Sequence, residues 1–441
     1  MNLGIMGVIM MLLVLVVIMS NKVHPVIAMV MIPVVICFMI GQGADVGTYA
    51  TDGIKSVAAT GCMFIFSVLF FGIITDAGAF DPIVDQILKV VGNDPLKITI
   101  GTAILAMIIH LDGSGVVTFM ITIPTMMPLY DKLGMRRMTL ALVTALSAGV
   151  MNMLPWGGPT MRAITSLESS VPVLFNPMII GMVVGLFTVL VIAFILGRQE
   201  RVYIAGQANG TVTVTGGTGS VEGKTDAEKE ALKRPKLFWF NILVVLVTII
   251  VMLKAWIPTH VAFMLAFSIA LIVNYPDMKE QGKRIAAHSS SAMLMASIIF
   301  ASGILNGVLS GTGMSDEITN IILSLIPQSL GKFIPIIIGL FSVPLMFVIP
   351  VDAFYYGVIP IIASVTTQFG LPPEMVARAA LCGHSTVSFP FTPTSGASVL
   401  LVGMTELSWG EWQRKGIPIA IGISWIMLLV LTVTGAVINF G

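Results

Sequence analysis

An apolar run from Ile98 to Leu129 is interrupted at its middle by His110-Leu111-Asp112-Gly113-Ser114-Gly115. A carboxylate and helix-breaking glycines in such a run are costly in hydrocarbon, where freed backbone groups find no water and an ionisable side chain finds no shell. The break is tolerable only where protein, solvent or a ligand satisfies it. A second break, Pro350-Val351-Asp352-Ala353-Phe354, interrupts the run from Phe333 to Val365. Matched interruptions in the two halves of a chain are the pattern expected of a carrier with a binding site near the bilayer midplane.

The rest of the chain supports a bilayer setting. It has 441 residues, 56% hydrophobic and 10% charged, a balance outside that of soluble domains. Runs such as Leu3–Met19, Val26–Ile40, Ile179–Leu196, Phe238–Leu253 and Ile417–Val437 approach or reach the length needed to cross a core of ~30 Å. The first run lacks a basic leader and a small-residue cleavage site, so it reads as a retained span. A net charge of +1 gives no reason to expect a nucleic-acid partner. Cys37, Cys62 and Cys382 all lie in apolar runs and read as packed thiols. One hydrophilic stretch, Arg198 to Lys236, opens on Gly/Thr/Val low complexity and closes on charge. It reads as a flexible linker.

Shifted by 235 residues, the chain pairs Gly72 with Gly307, Gly78 with Gly313, Asp81 with Asp316, Ile83 with Ile318, Ile87 with Ile322 and Leu88 with Leu323. With short gaps, Leu111-Asp112 falls on Val351-Asp352, Ile123-Pro124 on Ile359-Pro360, Gly134 on Gly370 and Pro155 on Pro390. Two copies of one unit are therefore expected, residues 1–198 and 237–441, joined by a linker over 199–236. Each unit reads as two spans, a third span, a short amphipathic piece, an interrupted segment, a span broken at Pro155–Thr160 or Pro390–Ser395, and a final span. The segment from Lys97 to Tyr130 is too short for two crossings: its helical length is about 51 Å against ~60 Å. It reads as a re-entrant hairpin with Asp112 at the tip; the second hairpin carries Asp352–Phe354. Five crossings per unit invert the second copy relative to the first. The expected fold is an all-α polytopic membrane protein of two inverted repeats, each with a broken helix and a hairpin.

Charge tests the arrangement. With the linker in the cytoplasm, eighteen of the 23 Lys and Arg residues fall on that side and only Lys55, Lys254 and Lys332 on the other, with Arg162 and Arg378 inside spans. This is the positive-inside bias, and it places both termini outside the cell membrane.

The first broken span reads Asn152-Met153-Leu154-Pro155-Trp156-Gly157-Gly158-Pro159-Thr160-Met161-Arg162. Unwound amides at Gly157 and Gly158, together with Asn152, Thr160 and the planar fork of Arg162, suit a carboxylate. The bland reading of Arg162 is a buried pair with Glu168. The second broken span, His384 to Gly396, is rich in hydroxyls; Ser388, Thr392, Thr394 and Ser395 are its candidates for an oxygen-rich ligand, although such groups also bond back to their own helix. Asp112, with Gly113, Ser114 and Gly115, and Asp352 complete the candidate binding set. Both aspartates are candidate ligands of a hard cation and candidate proton carriers; capping of the returning hairpin arm is the alternative for each. His110 and His384 are further proton-coupling candidates or else satisfied packing histidines. Arg378 reads as a pair with Glu374 one turn earlier. No Walker loop, zinc helix or nucleophile set is present, so no enzyme is expected. An ion channel is the rival class.

At Leu111–Gly115, Ile121–Leu133, Leu154–Thr160, Asp352–Gly357 and Leu400–Gly403 the chain resembles the citrate–divalent metal–proton symporter family (CitMHS) of the ion-transporter superfamily. The similarity spans nearly everything but the linker, and the string Leu154-Pro155-Trp156-Gly157-Gly158-Pro159-Thr160 is its most specific part. The resemblance implies import of citrate complexed with a divalent cation such as Mg²⁺ or Ca²⁺, carried as co-substrate with protons as coupling ion and no tightly bound cofactor. It also implies elevator-type alternating access; a homodimer is expected. Family members commonly carry a second acid where this chain has Ser114. A carrier of another small carboxylate, without metal, is the alternative.

Overall fold

The computed structural model describes residues 3–19, 22–207, 230–325, 328–392 and 395–438, and every regular element among them is helical. Six of these helices are long and apolar enough to cross a bilayer, and shorter apolar helices lie between them. Large apolar side chains such as Phe187, Phe194, Leu243, Ile250, Leu429 and Val433 point outward, as they must on helices solvated by hydrocarbon.

Two long helices, Val46–Asp76 and Met278–Gly311, form the centre of one half of the molecule. They cross at glycines. A Cβ on Gly53 would lie 2.0 Å from the Gly303 carbonyl oxygen, and one on Gly307 would lie 2.1 Å from that of Tyr49. Only residues without a side chain let two backbones come this close, and the close approach supplies the dispersion contact that holds helices together where water gives no driving force. At the end of the crossing, Asp76 accepts from Arg284 Nη1 (3.1 Å) and His288 Nε2 (2.9 Å). Thr259–Asn274 packs beside the Val46–Asp76 helix. The helices Leu3–Met19, Pro25–Met39 and Met314–Leu325 close a separate apolar core around Met10, Met29, Leu305 and Met314.

The other half gathers the hairpins and broken spans between Ile179–Gln207 and Trp409–Val433. The first hairpin runs through Pro95–Ile109, a 3₁₀ turn at His110–Asp112, and Gly115–Lys132. Pro95 stands in the first turn, where its missing N–H costs nothing, and Asp94 Oδ1 caps the helix by accepting from the Leu96 amide at 3.1 Å. The arms are antiparallel: Thr102 and Tyr130 hydroxyls meet at 3.3 Å, His110 and Thr118 at 2.7 Å. The second interrupted segment breaks after Ile334–Val348 and resumes as a π-helical stretch, Ala353–Val358, continuing into Ile359–Thr367. The break falls at Ile349–Pro350, with Val351 and Asp352 already helical, and Phe354 is buried inside the π turn rather than at the tip. The broken spans are Arg137–Met151 with Gly158–Ser166, and Glu374–Leu381 with Gly396–Thr405. Ile179–Gln207 runs on well past Arg198, so part of the stretch read as linker is regular helix; most of the remainder lies outside the described residues.

Polar contacts mark the two ends. At one, Arg137 bridges Asp131 and Glu406, Glu200 accepts from Arg136 Nε (2.7 Å), Arg201 Nε reaches Asp94 (2.9 Å), and Lys233 reaches Asp81 (3.0 Å). The Arg201 hydrogen bonds hold the Asp94 carboxyl below its usual range. At the other, Ser169 donates to Glu374 (2.9 Å) and Asn176 to the Leu253 carbonyl. Arg378 does not pair with Glu374. Its guanidinium donates to the carbonyls of Val173, Leu174 and Ala436, because it is buried beside helix ends whose last acceptors lack intrahelical partners.

Replacing Gly303 by Leu should force the two central helices apart, an overpacking cost of about 1–3 kcal/mol or more, and lower the apparent melting temperature of the purified protein. Gly282, on the same helix with no neighbour within 4 Å of a new Cβ, should accept Ala with unchanged or slightly raised stability. Thermal melting of both variants checks the contrast.

Candidate functional site

Between the two halves lies a cavity of about 880 Å³. Its lining joins all four breaks: Asp112 to Val117 from the first hairpin, Asn152, Trp156, Gly158, Pro159 and Arg162 from the first broken span, Pro350 to Asp352 from the second hairpin, and Ser385, Phe389 and Ser395 from the second broken span. Phe64, Ser67 and Phe71 of the Val46–Asp76 helix form the facing wall. Toward the end that carries Asp76 and Arg284, the cavity continues past Gly72, Thr75, Lys22, His24 and His288.

The first tip is built by local rules. Gly113 takes φ +76°, a left-handed conformation in which a side chain would be strained. Asp112 Oδ1 accepts from the Ser114 amide at 2.8 Å, and Ser114 Oγ accepts from Val117 N at 3.3 Å. The cap of the returning arm is thus Ser114, with Asp112 bracing the turn ahead of it. Trp156 Nε1 donates to the Leu111 carbonyl (2.7 Å), and its ring stacks on Phe71 with centroids 5.1 Å apart. The tryptophan therefore pins the hairpin tip to the first break and to the facing wall.

The first break is compact. A Cβ on Gly157 would lie 2.4 Å from the Asn152 carbonyl oxygen, so the turn needs glycine there. Gly157 itself does not line the cavity. Nor does Thr160, which is fully buried and donates to the Met153 carbonyl at 2.9 Å. Asn152 lines the cavity and donates to the Ser385 carbonyl across the break (2.6 Å). Arg162 pairs not with Glu168 but with Asp352, Nε to Oδ1 at 2.6 Å, with side-chain exposures of 11% and 13%. The pair ties the Gly158–Ser166 helix to the second tip.

In the second broken span the hydroxyls are mostly spent on the backbone. Ser388 Oγ donates to the Gly383 carbonyl (2.7 Å) and accepts from Ser385 N (3.0 Å). Ser388 and Thr392 are buried away from the cavity, Ser395 lines it, and Thr394 lies outside the described residues. Ser385 holds φ +61°, a conformation costing of order 1 kcal/mol for a residue with a side chain. His384 stacks on Phe354 at 3.8 Å, donates from Nε2 to the Ile349 carbonyl (3.2 Å) and meets Ser385 Oγ at Nδ1 (3.0 Å). Both ring nitrogens are engaged, which is the arrangement of a satisfied packing histidine. His110 sits behind the first tip; Thr118 Oγ already donates to the Ser114 carbonyl (2.7 Å), so the His110 Nδ1–H is the donor in the 2.7 Å contact with Thr118. Among the described residues no group of three or more His, Cys, Asp or Glu is gathered as a cation cage.

Sequence reasoning missed Ser385, Trp156, Ser67 and Phe389 as lining residues. Trp156 was within reach, since an indole inside a Pro/Gly break needs an acceptor for its N–H. Ser67, on an uninterrupted helix, gave no signal.

Hairpins and broken spans converging on one cavity inside an apolar helical body are the arrangement of a membrane transporter. Residues 5–383 match the family model CitMHS, described as citrate transporter. The chain is 40% identical over 435 residues to the citrate transporter of Bacillus subtilis (strain 168), covering 99% of each chain. It is 38% identical over 440 residues to the Mg(2+)/citrate complex secondary transporter of the same organism, covering 100% of this chain and 98% of that one. The chain belongs to the CitMHS family of citrate transporters. The YdaH transporter of Alcanivorax borkumensis shares the fold, with a TM-score of 0.60 at 13% identity over 89% of this chain and 88% of that chain.

Replacing Trp156 by Phe keeps the ring against Phe71 and deletes the bond to Leu111, leaving a carbonyl unpaired at about 1–3 kcal/mol. Amide hydrogen exchange over Gly113–Gly115 should quicken, while exchange across the glycine crossing of the long helices stays unchanged.

Proposed function

We propose that this chain is a secondary active transporter that imports citrate as a complex with a divalent cation, by proton symport. The observation that carries the reading is the placement of Arg162, Asp352 and Asp112 on one cavity where the four breaks meet, in a chain of this family. Arg162 offers a planar fork to a carboxylate. The Gly158–Ser166 helix begins at the cavity with Gly158 and Pro159 in its lining, so its positive end faces the same anion. Asn152, Ser114, Ser385 and Ser395 would supply neutral contacts. Citrate carries up to three negative charges, and each costs ~2.3 kcal/mol to move inward against 100 mV. A divalent cation and protons remove that cost. Asp112 and Asp352 are the oxygen ligands that a hard cation accepts and the candidate carriers of the coupled proton.

The same reading takes the two halves as inverted repeats, 1–198 and 237–441, around a cytoplasmic linker with both termini outside. The contact pairs described above support it: Arg137 and Glu406, at the outer ends of the first and second broken spans, meet at one end of the molecule, and Ser169 and Glu374 meet at the other. The cavity then continues toward the cytoplasm, the geometry of an inward-facing stage. The body holding hairpins and broken spans would slide as an elevator against the glycine-crossed pair.

Uptake of labelled citrate into proteoliposomes under an imposed pH gradient tests the transport reading. Uptake should need the gradient and fall to background in EDTA; undiminished uptake in EDTA would leave a metal-free carboxylate carrier. Arg162→Lys should weaken apparent citrate affinity by roughly tenfold, because one ammonium replaces a bidentate fork.

Orientation has its own test. Single cysteines at Lys283 and Lys55 should react with a membrane-impermeant reagent from opposite sides, Lys283 from the cytoplasm only. The reverse pattern would invert the topology.

A further inference from the structure

Arg162 and Asp352 are 190 residues apart in sequence yet form a short, nearly buried ion pair on the wall of the cavity. A substrate carboxylate and Asp352 want the same guanidinium. The other basic side chains in the lining, Lys22, His24 and His288, stand toward the end marked by Asp76, away from the tips. An anion seated among the four breaks therefore competes with Asp352 for Arg162.

We infer that this pair is a selectivity element: it admits a tricarboxylate that arrives with a divalent cation and resists the bare anion. The inference rests on the reading of the cavity as a citrate site. A bare tricarboxylate that captures Arg162 strands the Asp352 carboxylate, poorly solvated and facing added negative charge, and a buried charge that has lost its partner is strongly unfavourable. A metal–citrate complex brings the replacement partner with it. Its carboxylate takes the guanidinium, its cation takes the Asp352 oxygens as hard ligands, and no charge is left alone. The pair and the complex exchange partners, and nothing covalent changes. Asp352 thus discriminates through what happens to it when the wrong form binds, which is how a site rejects a smaller or barer ligand that would otherwise fit. The cation arrives held largely by citrate oxygens, and Asp352 joins its ligands in the place where the guanidinium was.

The test is citrate binding to the purified full chain in detergent, by calorimetry, in Mg²⁺ and in metal-stripped buffer. Wild type should bind at least about tenfold more tightly in Mg²⁺. Asp352→Asn deletes both the competitor and the ligand, so the ratio should shrink to within roughly twofold, mainly through tighter binding of the bare anion. Asp352→Glu keeps the charge and should keep the preference. A preserved tenfold ratio in Asp352→Asn overturns the inference, as does a Glu variant that loses the preference as fully as the Asn variant. If the Asn variant gives no cooperative melt, Asp352→Ser is read in the same way. Wild type that binds equally with and without Mg²⁺ also overturns the inference and leaves the citrate reading intact. Wild type that binds citrate in neither buffer removes the citrate reading and the inference with it.

Discussion

A helix broken inside hydrocarbon frees amides and carbonyls that no water can reach. In this molecule the breaks satisfy one another. Asn152 donates to the carbonyl of Ser385, Trp156 to that of Leu111, His384 to that of Ile349, and Tyr355 to that of His384. Each of these bonds runs from one interrupted element to another. Within the breaks, Thr160 covers Met153 and Ser398 covers Phe389. The four interruptions are therefore one structure, and none would survive alone at that depth. The cavity lies where they meet, and several of the paired groups, Asn152 and Trp156 among them, also line it.

The two halves of the molecule use opposite devices for the same problem. Around Gly53 and Gly303, backbone approaches backbone and leaves no polar group to satisfy. Around the breaks, backbone polar groups are unavoidable, and side chains are drawn in to meet them. The first device needs no side chain at the crossing; the second spends side-chain donors on exposed carbonyls. The two halves are joined by a handful of polar contacts, among them Asn306 donating to the Ser166 carbonyl and Ser56 to Glu168.

Much of this was legible in the sequence. Charge inside an apolar run has few solutions in a bilayer, so the positions of the four breaks followed from composition alone, and Asp112, Asn152, Arg162 and Asp352 do share one cavity. What the sequence hid was which hydroxyls remain available. Thr160 and Ser388 look identical to free donors in a string of letters, yet each is consumed by a carbonyl that its own break exposes. The partner of Arg162 was hidden for a different reason. Glu168 is near in sequence, whereas Asp352 becomes a neighbour only through the packing of one half of the chain on the other. The second tip was also displaced by a turn, since a π-helical stretch at Ala353–Val358 leaves no periodicity that apolar residues could betray.

The two broken spans differ in chemistry where they meet the cavity: a guanidinium and a primary amide line one side, while serine hydroxyls and a phenyl ring line the other. A two-fold symmetric pocket would treat the ends of a ligand alike. Here Arg162, Asp112 and Ser385 stand on one cavity as three unlike groups in a chiral arrangement. Three unlike points are the minimum needed to tell apart two chemically identical arms on a prochiral centre. On the reading proposed above, the unequal breaks would give such a molecule one favoured seating of its two arms.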